Sequence, residues 1–112
     1  MPQYTPDQIQ RASRMLKILA EPTRLSILLL LEKQKLSVSE IAAKLNLEQS
    51  KLSHHLMILR QERLASSTVD GKSRIYEPYD DHIYEVLQQV MEHIDEPHPT
   101  PSQEPKQEAS ES

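Results

Sequence analysis

The chain has 112 residues, with thirteen Lys and Arg against seventeen Asp and Glu, a formal net charge of −4, and no Cys. That length predicts one small domain, and the missing Cys excludes disulfides, thiolate metal sites and thiol redox chemistry, so any metal must be held by His and carboxylate. Phe and Trp are absent too, which leaves a core built mainly from Leu, Ile and Val.

Met1-Pro2-Gln3-Tyr4 offers no hydrophobic signal region, and the longest apolar run, Ile27 to Leu31, is too short to span a bilayer. A cytoplasmic protein without membrane contact is expected. Thr5-Pro6-Asp7-Gln8 reads as a helix start, with Thr as N-cap, Pro at the first helical position and Gln three residues after the cap. Ile9, Ala12, Leu16 and Leu19 then recur at helical spacing to about Ala20. Pro22 opens a second helix through Leu25, Leu28 and Leu29 to about Leu31. Ser37-Val38-Ser39-Glu40 is a capping box for a short third helix, with Ile41, Ala42 and Leu45 inward. Asn46, which tolerates the left-handed conformation, stops it, and a fourth helix runs from about Gln49 to Gln61.

Two short helices joined by so tight a turn make a helix-turn-helix. In the second of them Leu52, Leu56 and Leu59 form the inward stripe, while Ser50, Ser53, His54 and Met57 take the opposite face. Leu64 to Val69 and Arg74 to Tyr76 then flank Asp70-Gly71-Lys72-Ser73, which holds the only Gly of the chain and predicts a β-hairpin. Helix-turn-helix followed by hairpin gives the expected fold: mainly α with a β-hairpin wing, a winged helix covering residues 1–96. Residues 97–112, rich in Pro, Glu and Ser, read as a disordered tail.

In a winged helix, short polar groups on the second helix reach base edges while cations hold phosphates. Ser50, Ser53 and His54 are the candidate readers, and Lys51, Arg60, Lys72 and Arg74 the candidate phosphate contacts, the last two on the wing. His55 falls nearer the apolar stripe and is expected to pack. A solvated face in a protein-interaction module is the competing reading of these polar residues. Charge is segregated in a way that suits DNA: residues 1–74 carry twelve Lys and Arg against seven acids, whereas residues 75–96 carry seven acids and no Lys or Arg.

A last helix, from about Asp81 to Ile94, places Ile83, Val86, Leu87, Val90 and Ile94 on one stripe. Along its edge lie His82, His93 and Glu96, and Asp80, which pairs with His82 if the helix starts between them, completes the spacing D-x-H-x10-H-x2-E. His82 and His93 stand about 16 Å apart on a helix, whereas two ligands of one ion lie within about 4 Å of each other. One helix therefore cannot gather all four. Two copies running antiparallel can, so the spacing predicts both a metal site and a homodimer joined through the terminal helices. This imidazole-and-carboxylate donor set of borderline hardness suits Zn(II) or Co(II), and His98 could raise the coordination number towards that of Ni(II). Two solvated histidines beside a dimer-forming helix are the bland reading.

Leu19-Ala20-Glu21-Pro22-Thr23-Arg24-Leu25, Leu36-Ser37-Val38-Ser39-Glu40-Ile41-Ala42, and Gln49-Ser50 with Ser53-His54-His55-Leu56 and Leu59-Arg60 together resemble the ArsR/SmtB family of bacterial repressors over residues 12–96. The resemblance adds Gln49 to the DNA-facing set. The terminal motif is similar to the zinc-sensing site of that family. It implies Asp80 and His82 from one protomer, His93 and Glu96 from the other, and release of a palindromic operator when metal binds. The family's Cys-based site is absent from Leu36-Ser37-Val38-Ser39, and arsenite, cadmium and lead chemistry goes with it. His93 is expected to reach a main-chain carbonyl near the end of the recognition helix. No catalytic residue is expected, because four protein ligands close the coordination shell. The alternative is a metal-independent winged-helix regulator whose last helix only dimerises or docks a partner.

Overall fold

The computed structural model describes residues 3–97 and contains α1 (Pro6–Leu19), α2 (Pro22–Lys33), β1 (Leu36–Ser37), α3 (Val38–Leu45), α4 (Gln49–Gln61), β2 (Ala65–Asp70), β3 (Ser73–Pro78) and α5 (His82–Ile94). This is the winged helix expected from the sequence. The tail from residue 98, with His98, lies outside the described residues.

Local chemistry sets the helix boundaries. Thr5 Oγ1 accepts the Gln8 N–H at 3.0 Å while Gln8 Oε1 accepts the Thr5 N–H at 2.9 Å, closing the capping box of α1. Ser37 and Glu40 make the same reciprocal pair at the start of α3, at 3.2 and 2.8 Å. Asn46 adopts the left-handed conformation at φ 55°, and the Leu47 N–H donates back to the Ala42 carbonyl at 2.9 Å, so α3 ends there. Arg63 does the same after α4, at φ 59°, with the Leu64 N–H on the Leu59 carbonyl at 2.8 Å. Nothing about Arg in the sequence announces that role.

The hairpin forms with Asp70 opposite Ser73, so its loop is the two-residue Gly71-Lys72. Gly71 sits at φ 65° and Lys72 does not share a positive φ. That is the pattern of a type II′ turn, with Gly first, rather than a turn centred on Asp-Gly. β1 is an element the sequence pattern did not announce. Leu36 pairs with Tyr76 and Ser37 with Ile75, giving an antiparallel sheet in the order β1-β3-β2. Two residues are too few to alternate, and Ser37 serves simultaneously as a helix cap.

Ile27, Leu28, Leu31, Ile41, Leu52, Leu56, Leu59 and Leu64 are fully buried, and Tyr76 and Tyr84 join them. The core is thus aliphatic with two phenols at its edge. Two expected stripes behave differently. On α1 only Leu19 is buried, while Ile9 and Leu16 are exposed. On α5 Leu87 and Tyr84 pack towards α2, while Val86, Val90 and Ile94 face outward. Periodicity identifies an apolar face but not what covers it, and one chain leaves these two faces bare. Among the described residues, no helix is long and apolar enough to cross a membrane.

Candidate metal centre and nucleic-acid interface

Asp80 and His82 meet at the start of α5. Asp80 Oδ1 accepts the His82 N–H at 3.1 Å, and its Oδ2 lies 3.4 Å from His82 Nδ1. The helix begins at His82, so Asp80 occupies the preceding turn and folds back onto its partner. At the other end, His93 Nδ1 lies 3.3 Å from Glu96 Oε1. Donors held at about 2 Å from one ion with tetrahedral angles lie about 3.3 Å from each other. Both pairs therefore already span one edge of such a shell, and the donor set fits a divalent cation of borderline hardness.

The pairs do not meet each other within the chain. Eleven residues of helix separate the two histidines by about 16 Å, and among the described residues no three His, Asp or Glu side chains converge. Both histidines are open to solvent, with side chains 85% and 80% exposed. The anticipated link from His93 to a carbonyl near the end of α4 is not formed among the described residues. At that exposure nothing of the chain's own body reaches the imidazole, which turns to Glu96 instead.

On α4 the sequence reading of inward and outward faces holds. Gln49, Ser50, Lys51, Ser53, His54 and Arg60 are all exposed, as are Lys72 and Arg74 on the wing. Ser50 Oγ donates to Glu48 Oε1 at 3.0 Å, and Arg74 Nη1 donates to Ser67 Oγ at 2.8 Å across the hairpin. Arg60 lies in the last turn of α4, about 16 Å along the axis from Gln49, and so stands at the far end of this face.

Several residues with structural consequences had no distinct signal. Glu21 is the N-cap of α2, accepting the Arg24 N–H at 2.8 Å. That bond holds its carboxyl below the usual carboxylate range. The Arg24 guanidinium donates from Nε to the Ile18 carbonyl at 2.9 Å and lies with Nη1 3.2 Å from His55 Nδ1. His55 thus accepts as a neutral imidazole, and burial keeps it below its ordinary value, with Glu21 opposing that shift and Arg24 adding to it. One arginine ties the end of α1 to the flank of α4. Arg14 Nη2 adds a second tie, 2.6 Å from Glu62 Oε2 just past the end of α4. The Tyr84 hydroxyl is buried between α5 and the body with no hydrogen-bond partner among the described residues.

Residues 21–67 match the family described as "Bacterial regulatory protein, arsR family". The chain is 33% identical over 90 residues to a Synechocystis protein named "Transcriptional repressor SmtB homolog", covering 80% of this chain and 68% of that one. It is 36% identical over 83 residues to the "HTH-type transcriptional regulator NmtR" of Mycobacterium tuberculosis, covering 74% and 69%. Its fold is similar to the crystal structure of NolR from Sinorhizobium fredii, with a TM-score of 0.74 at 32% identity, over 83% of this chain and 96% of that one.

Proposed function

The chain belongs to the ArsR family of bacterial regulatory proteins, DNA-binding transcription regulators rather than enzymes, and from that premise we propose a homodimeric repressor that releases operator DNA when it binds Zn(II), with Co(II) or Ni(II) as related effectors. Asp80 and His82 of one protomer and His93 and Glu96 of the other would hold the ion, giving two sites per dimer. The observation that carries this reading is the pair of preset donor edges, 3.4 and 3.3 Å long, left exposed at opposite ends of one helix whose outer face is apolar. An ion held there would supply a cross-link and charge neutralisation.

The residues of the chain account for the rest. Burying Val86, Val90 and Ile94 against their copies draws two terminal helices together, but the stretch 75–96 carries seven acids and no Lys or Arg. Those carboxylates repel across the pair, and a cation held between Asp80 of one chain and Glu96 of the other would relieve that repulsion. α2 packs on both α5 and α4, so a change in the angle of α5 is passed to the recognition helix through a rigid neighbour. Two recognition helices must match half-sites about 34 Å apart. Gln49, Ser50, Ser53 and His54 then meet base edges, with Lys51, Arg60, Lys72 and Arg74 on phosphates. Metal must favour the arrangement that fits DNA poorly, and the coupling is equal in both directions.

The test is anisotropy of a labelled duplex, selected by the full chain from a random library, titrated with and without Zn(II). Release should weaken binding by about 5- to 150-fold, the usual range for coupled sites. His82→Ala and His93→Ala should bind DNA normally and ignore zinc. Equal zinc responses in wild type and both variants, or no response in any, would instead support a metal-independent regulator whose last helix only dimerises.

A further inference from the structure

The three leucines of α4 that face the core, Leu52, Leu56 and Leu59, are fully buried, yet the same helix presents one large apolar side chain outward. Met57 is 39% exposed and is not among the residues packed against the core. Nor does it belong to the bare apolar faces of α1 and α5, which lie on other elements. It stands three residues after His54, four after Ser53 and seven after Ser50. At helical spacing all three share its side of α4 as neighbours along the face. Ser50, Ser53 and His54 are themselves exposed, so Met57 has no apolar companion on that face.

Resting on the DNA-binding reading above, we infer that Met57 is a specificity-determining residue that packs on the C5-methyl group of a thymine in each half-site. The major-groove edges of the base pairs offer donors, acceptors and a single apolar group, and that group is the thymine methyl. An apolar side chain flanked by base readers has therefore one complementary partner in the groove. Methionine suits it because three rotatable bonds and a polarisable sulfur let it follow a methyl whose position shifts with local DNA shape. Hydrogen-bonding readers such as Ser53 and His54 cannot tell thymine from uracil, since both present the same O4 acceptor. Met57 can.

The experiment is a double-mutant cycle on the full chain, without added metal. A duplex is first selected from a random library, and each thymine is then replaced singly, in both half-sites, by deoxyuridine, which deletes only the methyl. Burial of one such group corresponds to about fourfold in affinity per half-site, hence about 15-fold for two. At one thymine position the wild-type chain should lose that factor, Met57→Ala should lose nothing, and Met57→Leu should restore most of the discrimination. Met57→Ala changes an exposed residue to a stronger helix former, so its fold and its non-specific DNA binding should match wild type. If every deoxyuridine penalty is the same in wild type and Met57→Ala, the inference is wrong while the DNA reading stands. If the chain selects no duplex at all, the DNA reading itself fails and takes this inference with it.

Discussion

Replacing Val90 by Ala asks whether the outer face of α5 joins two chains. Val90 is 49% exposed in the single chain, so pairing would take about half of its side chain out of water. The substitution deletes two methyl groups; at about 0.8 kcal/mol for each fully buried carbon, half coverage costs about 0.8 kcal/mol per chain. A twofold contact counts each substitution twice. The dimer should therefore lose about 1.6 kcal/mol, or about 15-fold in its dissociation constant. Val90→Asp should cost considerably more, because it also sets an unpaired charge into a stretch that already carries seven acids. Sedimentation equilibrium of the full chain over a range of concentrations reads the constant directly. Val69→Ala is the control, since Val69 is 66% exposed on the wing and lies outside the proposed contact. Should Val90→Ala shift the constant no more than Val69→Ala, the outer face of α5 is not where the chains meet.

Other substitutions probe the fold. Arg63→Gly should raise stability by about 1 kcal/mol, because Arg63 holds φ 59° and Gly adopts that conformation without a Cβ clash; thermal melts decide it, and a lower midpoint would contradict the reading of that turn. Leu56→Ala removes a fully buried side chain between α4 and the body and should cost about 2–5 kcal/mol in urea unfolding. The pH dependence follows from His55, whose folded form favours the neutral ring. As pH falls below the ordinary value of 6.5, the unfolded chain takes up a proton that the folded chain resists, so stability present above that point is lost below it. Glu21, Arg24 and His54 are the titratable or charged groups that act on it. His55→Gln should flatten this part of the stability profile and leave the later loss below 4.5, where Glu21 and Glu40 protonate, in place.

Much of this was legible in the sequence because the signals were local. Capping residues, the leucine stripe of α4 and the single Gly each act within a few residues of their own position, and α1 through α5 begin and end within one or two residues of where those signals put them. Arg63 taking a left-handed position, and Gly71 rather than Asp70-Gly71 leading the turn, depended on the path of the chain on either side. β1 and the Arg24–His55 contact were not legible for a different reason. Both join segments more than thirty residues apart, and nothing in Leu36-Ser37 or in Arg24 alone names the partner. The apolar stripes of α1 and α5 were visible, but burial is a property of the assembly, and only the fold shows that one chain leaves Leu16 and Val90 bare. For the proposed metal site the sequence supplied four residue types and a spacing. The structure added that Asp80 turns back onto His82, which sets the first donor edge.

The central claim is that each metal ion takes one pair of ligands from each of two chains, and a mixed dimer tests it most directly. A His82→Ala chain lacks the first pair and a His93→Ala chain lacks the second, so each variant alone should have no intact site. Paired with each other, they leave one site doubly damaged and one site complete, built from the intact first pair of one chain and the intact second pair of the other. Purified by two different tags and titrated with Zn(II) in the presence of a competing chelator, the mixed dimer should bind one ion tightly while neither parent dimer binds any. A mixed dimer that binds zinc no better than its parents would contradict the shared site.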